Sequence, residues 1–510
     1  MASTRLAPVA AIALGAAQAL SFAPWNLWWL QLAALAALFR VAQAAQTPRR
    51  AALLGWMFGL GWFGVGVSWV YISMHTYGGM PALLAAAATA AFCAFLALYP
   101  AFALGVAARW PGKGTVHSLL VLPACWTLSE WLRGVVLTGF PWIASGYAHT
   151  DGPLAGFAPL AGVYGITLVA AVVSGAAALG ASWRTLSRTQ RGAIVAILIG
   201  VSASGAALRA IEWTTPNGAP LSVRLVQGNI PQSLKFGPEG LWRGHQTHMS
   251  LLTSPGRIEL AVLPESVFPI PVNALPDSVL QDLSAQVQTK NITLIFGAFI
   301  EEPRENYFNS AIVANPDRTT ADYRKRHLVP FGEFIPFGFR WFVDLMQMPI
   351  GDQQRGPRYQ APIAVKDQRI AINICYEDLF GAEIIDAWKD ASREPTILLN
   401  LSNLAWFDDA IALDQHLQIS RLRALETGRP MLRATNTGAT AIIDARGRVM
   451  AALPHVSRGV LDGTVQGMMG NTPYVRFGNA PVLAVIVLLL AASVYGLRRR
   501  RYAAPDTSAQ

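Results

Sequence analysis

Charge is what this sequence has least of: Asp, Glu, Lys and Arg make up 14% of its 510 residues. A soluble chain carries about 25%. Combined with a mean hydropathy of +0.35, that shortage excludes a fully water-solvated protein and points part of the chain into lipid. Cysteine is also scarce, at three residues. Cys93 and Cys125 fall in apolar segments, where a small buried hydrophobe is the ordinary role. Cys375 stands alone in a polar region. A disulfide framework and a C-x-x-C metal site are thereby excluded. Basic residues outnumber acidic ones by a formal +10, yet no Lys/Arg-rich run is interleaved with stacking aromatics, so the footprint of nucleic-acid binding is missing. Internal repeats and low-complexity stretches are missing too.

What is abundant is long apolar runs. A spanning helix needs roughly 20 such residues. Candidates lie near 7–22, 26–44, 51–73, 81–108, 115–134, 157–182 and 191–210, with an eighth near 479–497. The first is short and follows Arg5, so a cleaved signal peptide is an alternative reading of it. Basic residues mark cytoplasmic loops. Arg40, Arg49 and Arg50 follow the second run, Arg109 and Lys113 the fourth, Arg184, Arg188 and Arg191 the sixth, and Arg498 to Arg501 the last. The alternate loops, around 22–26, 74–80 and 137–156, hold no Lys or Arg. The alternation predicts cytoplasmic termini. It divides the chain into a membrane domain of about seven spans (1–211), an extracytoplasmic domain (212–478), a final span (479–498) and a cytoplasmic tail (499–510).

Residues 212–478 differ in character. Short β-branched runs at 222–227, 260–263, 292–296, 370–375 and 396–401 alternate with helical patterns near 276–289, 381–392 and 412–428. That alternation predicts an α/β domain. Three motifs in it carry chemistry. Leu-Pro-Glu-Ser at 263–266 puts Glu265 after a strand. Tyr-Arg-Lys-Arg-His-Leu-Val-Pro-Phe-Gly-Glu at 323–333 contains Lys325. Ile-Cys-Tyr-Glu-Asp at 374–378 ends a strand on Cys375. Active-site groups of α/β domains gather at strand C-termini. A thiol is nucleophilic when ionised, a carboxylate can take its proton, and a lysine can stabilise an oxyanion. Glu, Lys and Cys can thus transfer an acyl group through a thioester. Taken singly, each has a plain alternative: a core thiol, a solvated carboxylate, a surface charge.

The ordered set Glu265, Lys325, Cys375 resembles the nitrilase superfamily. Gln-Gly-Asn-Ile-Pro-Gln-Ser-Leu-Lys at 227–235, His-Leu-Val-Pro-Phe-Gly-Glu-Phe-Ile-Pro at 327–336 and Asn-Leu-Ala-Trp-Phe at 403–407 narrow the resemblance to bacterial apolipoprotein N-acyltransferases. So do Arg-Leu-Arg-Ala-Leu-Glu-Thr-Gly-Arg-Pro at 421–430 and Gly-Phe-Pro-Trp at 139–142. The resemblance implies a multi-span helical membrane bundle plus an α-β-β-α sandwich domain in the periplasm. It also implies an activity: transfer of a fatty acyl chain from a phospholipid, phosphatidylethanolamine being the expected donor, to the α-amino group of a lipoprotein's diacylglyceryl-cysteine. On this resemblance Glu265 is the general base, Lys325 supports the charge and Cys375 is the nucleophile. Glu333 and Glu377 match further family carboxylates, and Tyr376 and Trp406 match substrate-site aromatics. Phe236 stands where some members are expected to have Trp; aromatic bulk survives the exchange, an indole N–H does not. No cofactor or metal is expected, and the partners are the phospholipid, the apolipoprotein and the inner membrane, with the chain a monomer.

Two features stay open on sequence. Residues 331–350 are rich in Phe, Met, Ile and Trp; they read either as domain core or as a membrane-facing loop that admits acyl chains. Glu130 and Arg133, near the end of the fifth apolar run, read either as a structural pair or as a functional one. Two other activities compete with the transferase: a membrane-tethered amidase using water, and a non-catalytic lipoprotein-binding module. The intact Glu265, Lys325 and Cys375 argue against the second.

Overall fold

The computed structural model describes residues 2–110, 114–235, 238–303, 306–341 and 352–502. They fall into two compact units. One comprises Met1–Ser68, Ala86–Glu212 and Arg476–Gln510; the other comprises Trp69–Ala85 and Trp213–Val475.

The first unit is helical. Each apolar run overlaps a helix: Ala2–Ala19, Trp28–Gln43, Pro48–Gly66, Ala82–Leu96 continuing as Leu98–Arg109, Leu122–Arg133, Ala158–Gly180, Arg188–Leu208 and Ala480–Tyr502; the run at 51–73 outlasts its helix, which stops at Gly66. Among the described residues, three helices are long and apolar enough to cross a membrane, namely Ala82–Arg109, Pro153–Gly180 and Arg188–Leu208. A fourth joins them if the bent pair Pro48–Gly66 and Val70–Tyr77 is one span, and Leu6–Ala19 and Ala480–Tyr495 are shorter apolar helices. Small residues let helices approach closely where lipid supplies no hydrophobic drive. A methyl group built on Gly61 would stand 2.0 Å from the Ile12 carbonyl oxygen, so glycine sets the contact of the first and third helices. Glu130 and Arg133 are both buried. The Glu130 carboxylate accepts the Ser145 N–H at 2.7 Å, and Arg133 donates to the carbonyls of Phe140 (2.6 Å) and Trp142 (2.8 Å). The pair therefore anchors the Gly-Phe-Pro-Trp loop, which is the structural reading.

The second unit holds the strands. In chain order they are β1 (Thr215–Pro216), β2 (Leu221–Gln227), β3 (Leu260–Val262), β4 (Thr293–Glu302), β5 (Asn306–Ala314), β6 (Thr320–Arg324), β7 (Ile363–Val365), β8 (Gln368–Ile374), β9 (Ile397–Ser402), β10 (Met431–Thr435), β11 (Ala441–Ile443), β12 (Val449–Ala452), β13 (Gly459–Val465) and β14 (Met468–Met469). They form two six-stranded sheets, β13-β2-β3-β4-β5-β6 and β12-β11-β10-β9-β8-β7, and a β1-β14 ribbon. The centres are parallel: β2 with β3 with β4, and β8 with β9 with β10.

Strand periodicity explains the layering. Side chains alternate between faces, so Ile370, Ile372, Ile374, Ile397, Leu399 and Leu401 join Val223, Leu225, Val262 and Ile295 in one core between the sheets. The opposite face of the first sheet packs Ala261, Leu263 and Leu294 against Leu252 of helix Pro238–Leu252 and Val279, Leu283 and Val287 of helix Asp277–Lys290. Ala371, Leu398 and Met431 meet Ala424 of helix Ala412–Thr427 on the second sheet's outer face. The result is helix, sheet, sheet, helix. The helical pattern near 381–392 is corrected: it breaks into Gly381–Ile384, Ile385–Trp388 and Ala391–Arg393. Its end is chemical, because the Asp390 carboxylate accepts the Ser392 N–H at 2.9 Å and caps a new turn.

Candidate active site

Parallel strands end on the same side, and the candidate residues follow those ends. Glu265 follows β3, Cys375 follows β8, Asn403 follows β9 and Asn436 follows β10. β6 runs the same way as β4, because β5 is antiparallel to both, so Lys325 emerges beside them. Gly297 in β4 allows the close approach: a methyl group there would lie 2.4 Å from the Ser266 nitrogen and 2.6 Å from the Glu265 Cα.

The centre is a buried ionic cluster. Lys325 Nζ donates to Glu333 Oε1 at 2.7 Å and to Glu265 Oε1 at 3.4 Å. Asn309 Nδ2 donates to the same two carboxylates, at 2.8 Å to Glu265 and 3.1 Å to Glu333. Glu265 Oε2 accepts the Asn403 N–H at 2.9 Å, and Glu333 Oε2 accepts that of Val329 at 2.8 Å. Lys325 is 1% exposed. Burial works against its charge, but Glu333, Glu265 and Cys375 outweigh it and hold its pKa above the ordinary lysine value. An ammonium has three donors. The third has no acceptor among the described residues.

Cys375 is partly exposed and sits at φ +53°, a left-handed conformation that is uncommon for a side chain of this kind. Burial and then the Glu265 charge push the thiol pKa up, against the pull of Lys325 and a backbone hydrogen bond from Asn403. The resting thiol is therefore protonated and needs a base to become nucleophilic.

Glu377 fastens the two loops that carry Lys325 and Cys375. Its Oε1 accepts the N–H groups of Arg326 (2.6 Å) and His327 (3.1 Å); its Oε2 accepts the Ile374 N–H (2.7 Å) and the Tyr323 hydroxyl (2.9 Å). Tyr376 is 7% exposed and packs its ring against His327 and Phe380. Trp406 is 36% exposed, with its ring edge-on to Tyr77 at 5.9 Å. Phe236 lies outside the described residues. Of the apolar stretch 331–350, residues 342–350 also lie outside them. In the rest Phe337 is wholly exposed and Trp341 is 65% exposed, so the core reading does not hold for that part.

Several residues of the site are not among the sequence-stated candidates. Asn309 holds both carboxylates with its side-chain amide and Asn403 holds Glu265 with its main-chain N–H, and neither leaves a charge pattern to find. His416 Nε2 approaches the Cys375 carbonyl at 3.2 Å while Nδ1 meets Arg433 Nη2 at 2.9 Å. Burial and Arg433 keep that imidazole pKa well below its usual value, so it is neutral, with Nε2–H donating and Nδ1 accepting. Trp69 donates its indole N–H to Gln415 Oε1 at 3.2 Å and packs on Phe407; Tyr77 donates to Asp408. The segment Trp69–Ala85 thus flanks the Trp406 loop. Among the described residues no group of three or more His, Cys, Asp or Glu side chains could hold a metal ion.

Known proteins resemble this chain along nearly its whole length. Residues 14–176 match the apolipoprotein N-acyltransferase N-terminal domain and residues 222–474 match the carbon-nitrogen hydrolase domain. The chain is 50% identical to an apolipoprotein N-acyltransferase of Ralstonia nicotianae, over 97% of its own length and 94% of that protein's. It is 45% identical to one of Bordetella bronchiseptica (97% and 98%) and 43% identical to one of Nitrosomonas europaea (97% and 98%). Among solved structures, a CN-hydrolase superfamily protein from Xanthomonas campestris aligns with 54% of this chain and 97% of its own, at 19% identity and a TM-score of 0.37. With a carbon-nitrogen hydrolase domain whose carboxylates, lysine and cysteine meet at the strand ends, and relatives of this identity along nearly its whole length, the chain belongs to the apolipoprotein N-acyltransferase family, as a membrane protein.

Proposed function

We propose that this chain transfers a fatty acyl group from a phospholipid to the α-amino group of a lipoprotein's N-terminal diacylglyceryl-cysteine, through a thioester on Cys375. One observation carries the reading: Cys375 shares the strand ends with a Glu265–Lys325–Glu333 cluster in which one lysine donor meets no acceptor among the described residues. In the first step Glu265 takes the thiol proton and Sγ bonds to the ester carbonyl carbon. The spare Lys325 donor meets the oxyanion. The C–O bond then breaks and the proton on Glu265 passes to the departing lysophospholipid oxygen. In the second step the amine nitrogen attacks the thioester carbon, Glu265 takes the amine's proton, the C–S bond breaks and the proton returns to sulfur.

Phosphatidylethanolamine suits the donor role, because donor and acceptor are then both held at a bilayer surface. The exposed apolar residues of 331–341 suit an acyl entrance. Glu377 and Glu333 act by fixing Lys325 and Cys375, with Tyr376, Phe236 and Trp406 at the substrate. The basic-loop alternation supports a bacterial inner-membrane protein with the catalytic domain in the periplasm. Product analysis separates this activity from amide or ester hydrolysis. Given phospholipid and a diacylglyceryl-peptide with a free amino terminus, the enzyme should yield N-acyl peptide and lysophospholipid. Free fatty acid in equal amount with or without the peptide would favour the hydrolase.

A further inference from the structure

A second lysine lies beside the reacting groups. Lys235 ends the short helix Gln232–Lys235 and is 4% exposed. Its Nζ donates to the Glu265 main-chain carbonyl at 3.2 Å, the one acceptor it meets among the described residues, although an ammonium carries three donors. Burying an ammonium so sparsely bonded is unfavourable, and a methionine would fill the space without that cost. The position is built all the same. Gln232 Oε1 accepts from Asn403 Nδ2 at 2.9 Å; Asn436 holds Ile230 by its N–H (3.0 Å) and carbonyl (2.9 Å) and reaches Asn403 Oδ1 at 3.0 Å. This amide network ties the helix carrying Lys235 to the residue whose N–H serves the Glu265 carboxylate.

We propose that Lys235 is a second cation of the acyl-transfer site, a positioning residue that holds the Glu265 turn through its carbonyl and lends positive charge to Glu265 and Cys375. The proposal rests on the reading of Glu265 as base and Cys375 as nucleophile. Charge counting supports it. Glu265 and Glu333 bring two negative charges to the buried cluster and Lys325 only one positive charge; Lys235 supplies the other. Without Lys235 the cluster carries a net charge of −1, which transfer of the thiol proton to Glu265 leaves unchanged; with Lys235 the total is zero. The groups interacting with Lys235 are Glu265 and Cys375, which attract it, and His248 of the helix Pro238–Leu252, which is buried and neutral. Burial lowers the Lys235 pKa to about 8, against the pull of Glu265 and Cys375. It is thus charged below about pH 8 and loses its charge above it.

The test uses the full-length enzyme with Cys93 and Cys125 replaced, and follows two reactions of Cys375 against pH: alkylation by iodoacetamide and acylation by labelled phospholipid. Lys235→Met should slow both by roughly 10- to 100-fold at neutral pH, below the ~10²–10³ of a direct oxyanion donor, and move the alkylation profile to higher pH. Lys235→Arg should restore most of the rate. Wild-type acylation should decline above about pH 8, and the arginine variant should not show that decline. Wild-type rate and profile in Lys235→Met would overturn the proposal while leaving the thioester reading intact; no acylation of the wild type would instead overturn that reading. Should Lys235→Met fail to fold, Lys235→Gln, which keeps a donor for the Glu265 carbonyl but no charge, decides: a wild-type alkylation rate and pH profile in it contradicts the proposal.

Discussion

Replacing Glu377 with glutamine tests whether the Lys325 and Cys375 loops are held by one carboxylate. The four donors reaching it are three backbone N–H groups and the Tyr323 hydroxyl, two on each oxygen. Glutamine keeps one oxygen. Turned toward Arg326 and His327, it opposes its NH₂ to the Ile374 N–H, while Tyr323 can rotate to accept. Turned the other way, it strands two N–H groups. The better rotamer leaves one buried donor unsatisfied, about 1–3 kcal/mol, and weakens the remaining charge-assisted bonds, for roughly 2–5 kcal/mol in all. In a domain of this size that is a drop of roughly 5–15 °C in the unfolding midpoint. The strand end carrying Cys375 should loosen first, so acylation of Cys375 should slow more than the fraction of unfolded protein explains. Thermal unfolding of the purified variant and its acylation rate at a temperature where it is folded would measure both. A variant with wild-type midpoint and wild-type acylation would refute the account of Glu377.

Other substitutions probe single contacts. Gly297→Ala should push the Glu265 turn off β4, given the 2.4 Å and 2.6 Å approaches, and slow acylation with only modest unfolding; unchanged acylation would contradict the close packing. Phe337→Ser, at a wholly exposed side chain, should leave stability within about 0.5 kcal/mol and lower acyl transfer from phospholipid vesicles; equal transfer would remove the entrance role. Acid should destabilise the catalytic unit through His248, whose pKa burial lowers to about 4. It stays neutral in the fold but protonates in the unfolded chain below about 6.5, so stability falls as pH drops from about 6.5 toward about 4, by about 1.4 kcal/mol per unit. His248→Gln should flatten the unfolding midpoint over that window, and an unchanged slope would oppose this.

The catalytic α/β domain is legible in sequence where one physical signal dominates. The β-branched runs at 260–263 and 370–375, which lead to Glu265 and Cys375, fold as strands β3 and β8, and the 276–289 and 412–428 patterns become helices Asp277–Lys290 and Ala412–Thr427. The helix expected near 381–392 fails because its periodicity hides a side-chain cap at Asp390. Hydropathy reports that a segment is apolar but not what covers it. Residues 69–73 fall inside an apolar run, yet Trp69 spends its indole on Gln415 and Phe407. Within the site, charge and spacing mark Glu265, Lys325, Glu333 and Cys375. Asn309, Asn403 and His416 carry no such mark, because their role is to satisfy partners that only the folded strands bring near. Lys235 falls within a quoted motif but reads as an ordinary surface charge until its burial is known.

The central claim is a covalent acyl-enzyme, and the most direct measurement is the intact mass of the enzyme after mixing with labelled phospholipid alone. The wild type should gain one acyl group on Cys375, sensitive to hydroxylamine, with lysophospholipid released; a diacylglyceryl-peptide with a free amino terminus should discharge it. Cys375→Ala should gain none, and Glu265→Gln and Lys325→Ala should gain it far more slowly. Turnover of the wild type with no adduct under any condition would contradict the two-step mechanism.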